Sequence, residues 1–281
     1  MISIKANMSD MRPHIGDIQS SHILESMRPN PLPEELLCIC NSFARRRPSW
    51  QQPGRDTTLI IQRLKEWINA SGSSMFIVNA GPRAEVRVKD MLVEIISLLK
   101  SKSFPVFWYL ASPTGSSATT SLSKVLMSLI YQAIQYVPAI LSQDTYLGNI
   151  QAFEKQHSLA EWTSLATLVL SKVGQCSVII ETRDLYGRDE QATQQTLDTF
   201  GTIFEDVVRV GGTLKFLQVT DGSGSNQNIH SAQNFPILTS LNAPLPISRR
   251  KKRPLASGIA VGPRRNQLQL MLKTRGNIDS I

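Results

Sequence analysis

The sequence predicts an α/β fold: a mostly parallel sheet with helices on both faces and disordered termini. Three observations lead there. Short apolar runs of strand length, at 75–78, 104–110, 176–181 and 214–220, alternate with segments of helical periodicity. The segments between those runs are long enough to carry each new strand back parallel to the last. Finally, 281 residues at 41% hydrophobic and 19% charged can bury a full domain core.

The elements follow in order. Residues 1–33 lack sustained periodicity and close on the Pro-rich Met27–Pro33, so they are expected to form a flexible leader. Two N-terminal helices are predicted within 34–70. The first, over 34–46, has Glu34 and Glu35 in its first turn and Arg45 to Arg47 at its end, a placement that suits the helix dipole, and Pro48 stops it. The second, over 57–69, sets Ile60, Leu64, Trp67 and Ile68 on one face.

The α/β domain is then assigned to 71–243. Its first strand is Met75 to Val78. In 85–100, Val88, Met91, Leu92, Ile95, Ile96 and Leu99 form a continuous apolar stripe, a strong helix signal. Phe104 to Leu110 is the second strand. Leu122, Val125, Leu126, Leu129, Ile130, Ala133 and Ile134 mark a helix stopped near Pro138, with Thr120 or Ser121 as its N-cap. A helix through Trp162, Leu165, Ala166, Val169 and Leu170 leads to the strand Cys176–Glu181. Another, through Leu197, Phe200, Phe204, Val207 and Val208, leads past Gly211–Gly212 to the strand Leu214–Thr220. Phe235 to Leu241 offers one more strand.

Charge separates the tail from the rest. The chain carries 30 Lys and Arg against 22 Asp and Glu, a net of +8. Residues 245–281 hold nine of the basic residues and one acidic residue, so that segment alone accounts for +8 and 1–244 is neutral. A basic nucleic-acid-binding core is therefore disfavoured, and nucleic acid is a partner only through the tail. Residues 244–281 are aperiodic and expected to be disordered. Within them Arg249, Arg250, Lys251, Lys252 and Arg253 make a compact run, a nuclear-import candidate or simply a solvated tail.

Other features narrow the function. No apolar run approaches the roughly 20 residues of a membrane helix, so no membrane partner is expected, and the N-terminus lacks a signal-peptide core. Cys38, Cys40 and Cys176 fit neither a disulfide framework nor a zinc site, which suits a reducing compartment, cytoplasmic with a nuclear alternative. Cys38 and Cys40 lie two apart on a helix and point away from each other, as packing residues. His14, His22, His157 and His230 are scattered and form no catalytic or metal constellation. The hydroxyl-rich loop 112–121 is a flexible connection whose hydroxyls could also be phosphorylated.

In a doubly wound sheet, ligands sit beyond the carboxyl ends of the strands. Those ends here are Asn79-Ala-Gly-Pro-Arg-Ala-Glu85, Glu181-Thr-Arg-Asp184 and Thr220-Asp-Gly222. Together with Trp67-Ile-Asn-Ala-Ser-Gly-Ser-Ser-Met-Phe-Ile-Val78, Phe107-Trp-Tyr109, Leu126-Met-Ser-Leu-Ile-Tyr-Gln132 and Leu214-Lys-Phe-Leu-Gln-Val-Thr220, the order of parts resembles the P-loop NTPase domain of fungal NACHT proteins. These are signalling ATPases related to the intracellular immune receptors of animals and plants. The resemblance runs from about Trp67 to Asp221 and implies a three-layer sandwich, with a phosphate loop after the first strand and Walker B acids at Glu181 and Asp184.

The chemistry departs from the family. A phosphate loop needs glycines whose N–H groups wrap the phosphates, a lysine reaching the terminal phosphates, and a Ser or Thr hydroxyl on magnesium. With Gly81 as the middle glycine, Arg83, Ala84 and Glu85 stand where Gly-Lys-Ser belong; with Pro82 matched to the family's proline, Glu85, Val86 and Arg87 do. Both registers lose the lysine and the hydroxyl and add a carboxylate. At an effective dielectric near 20, a unit charge about 4 Å away changes the interaction by roughly 4 kcal/mol. Gly81, Pro82, Arg83 and Arg87 are thus degenerate nucleotide-binding positions, with Arg83, Arg87 and Lys89 as the nearby cations that could compensate.

Glu181 could hold magnesium through water and Asp184 could orient an attacking water. The plainer expectation is that both are solvent-facing acids paired with Arg183 or Arg188. Thr220-Asp221 replaces the family's Ser-Arg sensor pair. The resemblance therefore implies a pseudo-ATPase without catalytic residues or cofactor, acting on protein partners, related NACHT proteins among them. Mg-ATP enters only under the alternative of an atypical NTPase, with Glu181 and Asp184 as its catalytic candidates.

Overall fold

The strands all lie in one sheet. In the computed structural model the described residues are 20–46, 55–80, 85–112, 120–143, 153, 157–183, 185, 190–221 and 238–241. Among them run β1 (Ser74–Ala80), β2 (Val106–Tyr109), β3 (Gln175–Glu181), β4 (Thr213–Asp221) and β5 (Leu238–Leu241), in spatial order β2-β3-β4-β1-β5. Every neighbouring pair is parallel. The predicted α/β fold with helices on both faces is the fold observed.

Side-chain alternation divides the core into two layers. On one face lie α1 (Pro33–Arg46), α2 (Arg55–Asn69) and α3 (Glu85–Ser101). Their Leu37, Ile60, Leu64, Trp67, Leu92 and Ile96 pack on Phe76, Val78, Trp108, Ile179, Leu217 and Val219. On the other lie α4 (Leu122–Tyr136), the short α5 (Ile140–Gln143), α6 (Leu159–Val173) and α7 (Glu190–Arg209). There Leu126, Leu129, Trp162, Val169, Phe200 and Val207 meet Phe107, Val178, Ile180, Leu214 and Phe216. Each fully buried Leu, Ile or Phe contributes about 1.5–3 kcal/mol relative to exposure.

Two expectations about the N-terminal segments are corrected. Residues 20–26 are helical rather than part of a flexible leader, and Ile23 and Met27, 0% and 1% exposed, belong to the core around α4 and α6. A single helical turn or two carries too few apolar positions to stand out as a period. Nor do the helices of 34–70 stand apart from the α/β domain: α1 and α2 share one core with α3 and the sheet. The indole N–H of Trp108 donates to the Pro33 carbonyl at 3.3 Å, and that of Trp67 to the Ser74 carbonyl at 3.1 Å. Residues 1–19 and 242–281, including the expected tail, lie outside the described residues.

Element boundaries shift where polar residues carry the end turns. α7 begins at Glu190, well before Leu197, because its first turns are Gln- and Thr-rich. α6 begins at Leu159 behind a capping box in which Ser158 and Glu161 satisfy each other's backbone N–H groups. Ser121 rather than Thr120 caps α4. β2 is shorter than 104–110 and forms one edge of the sheet. There Gln132 of α4 acts as a one-residue substitute strand: its Oε1 accepts from the Trp108 N–H at 3.0 Å and its Nε2 donates to the Trp108 carbonyl at 2.8 Å. The edge is thereby covered by a helix, which blunts it as a pairing template.

Candidate functional site

The carboxyl edge of the sheet brings three of the sequence-flagged strand ends together. Because β4 lies between β1 and β3, its last residues stand beside both: Val219 pairs with Glu181, Thr220 with Asn79, and Asp221 with Ala80. α3 starts at Glu85, directly after the turn that follows β1. An acidic residue at the first helical position stands where the helix dipole already favours negative charge.

The chemistry of this edge centres on Glu181. The strand alternation points its side chain to the α3 face, where Lys89, five positions into α3 by chain order, meets it. Both are buried, 4% and 5% exposed respectively. The Lys89 ammonium is 3.1 Å from Glu181 Oε2 and also donates to the Ala111 carbonyl. The Ala111 N–H returns a hydrogen bond to the same Oε2 at 3.0 Å. Ala111, two residues beyond β2, is thus tied through both of its backbone groups to a buried ion pair. On the other oxygen, Arg183 Nε stands 4.0 Å from Oε1. Burial pushes the Glu181 carboxyl above its ordinary range, while Lys89, Arg183 and the Ala111 N–H pull it back.

Neighbouring groups complete a packed edge. Thr182 is fully buried, and both its N–H and its hydroxyl donate to the Val219 carbonyl, at 3.0 and 2.8 Å. Asn79 and Thr220 are also buried, and Asn79 Oδ1 accepts no hydrogen bond among the described residues. Arg87, by contrast, is exposed on α3. Gly81, Pro82, Arg83, Asp184, Arg188 and the run Arg249 to Arg253 lie outside the described residues, as does the Asp221 side chain.

The expectation for Glu181 is therefore corrected in two respects. It does not face solvent, and its closest charge partner is Lys89 rather than Arg183. The correction has a plain cause: pairing a helix residue with a strand end requires the fold to place α3 over β3, which no local pattern encodes. Lys89, one of the cations that could compensate for the lost phosphate-loop lysine, is instead engaged by the carboxylate and the Ala111 carbonyl.

These residues do not fit a divalent ion. Among the described residues the groups that meet the carboxylate oxygens are the Lys89 ammonium, the Arg183 guanidinium and the Ala111 N–H, so a metal at Oε2 would face an ammonium already 3.1 Å from that oxygen. No group of three or more His, Cys, Asp or Glu side chains suited to a metal exists among the described residues. Among the same residues no helix is long and apolar enough to cross a membrane. No family model matches the chain, and no curated protein or solved structure matches it either.

Proposed function

We propose that the chain is a non-catalytic, NACHT-like pseudo-ATPase domain that acts through protein contact or signalling. The observation that carries this is the buried Lys89–Glu181 pair, closed by Ala111. It engages the strand-end acid that an ATPase of this kind would need for magnesium and water. Sequence supports the same conclusion from the phosphate side, since neither register of 81–87 supplies the lysine or the hydroxyl. With the phosphate-binding charge lost and the acid occupied, what remains is a neutral folded body able to meet protein partners, intact relatives among them.

Calorimetric titration of the full chain with millimolar Mg-ATP tests this. The expected result is no saturable heat and no phosphate release above buffer. Micromolar binding that disappears in Glu181→Ala would overturn it and favour the atypical NTPase. A role carried by Arg249 to Arg253 is separable: deleting 249–265 should redistribute a nuclear fluorescent fusion to the cytoplasm, and an unchanged distribution removes that role.

A further inference from the structure

The amino edge of the sheet, opposite the Glu181 edge, holds a second buried lysine. Lys215, near the start of β4, pairs in register with Ser74, the first residue of β1, so the two side chains leave the same face of adjacent strands. Lys215 is 6% exposed. Its ammonium donates to the Ser74 hydroxyl at 3.1 Å and to the carbonyl of Ala70, the residue after α2. No carboxylate among the described residues pairs with it, and burial pushes it below the ordinary lysine range. The neighbouring serine is committed differently. Ser73 Oγ accepts from the Leu214 N–H at 3.0 Å and donates to the Gly212 carbonyl at 3.3 Å, which ties the turn after α2 to the start of β4.

Three groups thus stand in the order that activates a hydroxyl: a nucleophile, a base within hydrogen-bond reach of it, and an acceptor that orients the base. A desolvated lysine sheds its proton more readily, and the free amine accepts a hydroxyl proton that the ammonium cannot. Exposure divides the task, since Ser74 is half-buried and keeps contact with solvent while Lys215 is shielded behind it. We propose that Ser74 and Lys215 form a serine–lysine dyad that makes Ser74 a site of covalent acylation by activated carboxylic esters. Ser74 Oγ bonds to the ester carbonyl carbon as Lys215 Nζ, in its free-amine form, takes the hydroxyl proton. The ester C–O bond then breaks, and Nζ passes the proton to the departing alcohol. The product is a single ester-linked acyl group on the chain, formed without nucleotide or metal.

The probe is para-nitrophenyl acetate added to the full chain, with nitrophenolate release followed by absorbance and the acetylated residue located by peptide mass spectrometry. Wild type should show a burst of about one equivalent and carry the acetyl group on Ser74. Ser74→Ala should lose the burst. Lys215→Arg keeps a cation for the Ala70 carbonyl but offers no free amine, and its Ser74 should acetylate at least about a hundredfold more slowly. The wild-type rate should rise with pH and level off below about 10.4, the ordinary lysine value, because the amine acts in its deprotonated form.

Several results overturn the proposal. One is acetylation of Ser74 no faster than that of Ser42, an exposed serine on α1. Another is an acetyl group on Lys215 in place of Ser74. A third is equal acetylation of Ser74 in wild type and a folded Lys215→Arg, which would mean that Lys215 serves only to hold the end of α2. If Lys215→Arg does not fold, the wild-type pH profile decides: a plateau supports the dyad, and a rate that climbs without one, as for attack by hydroxide, overturns it. Continued nitrophenolate release that requires both residues supports the dyad and means that the acyl-serine hydrolyses. Mg-ATP binding bears only on the pseudo-ATPase reading, which concerns the opposite edge of the sheet, so the two readings fail separately.

Discussion

Lys89 and Glu181 illustrate how a buried charge pair can be costly to break and inexpensive to replace. Taking both ions out of water carries a desolvation cost that their attraction only partly offsets, but removing one partner strands the other. Lys89→Met or Glu181→Leu alone is expected to lower unfolding free energy by about 3–5 kcal/mol, while Lys89→Met/Glu181→Leu should cost far less than the sum. Urea denaturation of the four proteins in the cycle checks this; additive losses would mean that the two residues do not act as a pair. The pairing was not legible in the sequence, where Lys89 lies in the helix after the first strand and Glu181 stands beside Arg183. Cysteine placement was legible: Cys38 is exposed and Cys40 buried on the same helix, as their spacing requires. Burial pushes the Cys176 thiol up to about 12. In the native state an aromatic disulfide reagent should therefore modify Cys38 promptly, with Cys40 and Cys176 reacting only as the chain unfolds. Rapid loss of the Cys176 thiol, read by mass spectrometry, would contradict that.

Helices with long apolar stripes were readable from spacing alone, and α3 is the clearest case because its stripe runs through the whole element. Their polar ends were less readable. α6 carries a signature, Ser158 three residues before Glu161, that announces a helix start, yet the apolar residues alone suggest a start nearer Trp162. Hydrogen bonds from the Ser158 backbone and side chain hold the Glu161 carboxyl below its ordinary value. A depressed carboxyl supports the fold above its unfolded pKa, and that support is lost as pH falls. Ser158→Ala should cost about 1 kcal/mol at neutral pH, and the deficit should shrink in acid. On α3 the sign is opposite. Burial and then the charge of Asp90, one turn earlier, raise the Glu94 carboxyl above its ordinary value. Its contribution is present in full below the unfolded pKa and is lost as pH rises through the folded one. Glu94→Gln should therefore gain on wild type by about 0.5 kcal/mol between about pH 4 and pH 7. Urea midpoints across that range decide it, and a constant difference would refute the coupling.

At the scale of the molecule, fold class was legible because strands and helices alternate, whereas strand order was not. Nothing local places β4 between β1 and β3, or brings residues 20–26 onto the α4 and α6 layer; both depend on which apolar faces find each other after collapse. The result is one sheet serving two cores, and this has an energetic consequence. Leu129 is buried in the layer of α4 and Leu92 in that of α3, on opposite faces of shared strands. Truncating either to alanine should cost about 2–5 kcal/mol through lost burial and the cavity left behind. Since β3 and β4 pack both layers, neither core can melt while the sheet remains intact for the other. Tryptophans report on each side, Trp162 in one layer and Trp67 and Trp108 in the other. Tryptophan fluorescence and far-ultraviolet circular dichroism should consequently trace a single coincident urea transition for wild type, Leu129→Ala and Leu92→Ala. In the double variant the two losses should add to within about 0.5 kcal/mol, because the side chains share no partner across the sheet. Separate transitions for the two layers would show instead that α1, α2 and α3 form a unit able to unfold on its own.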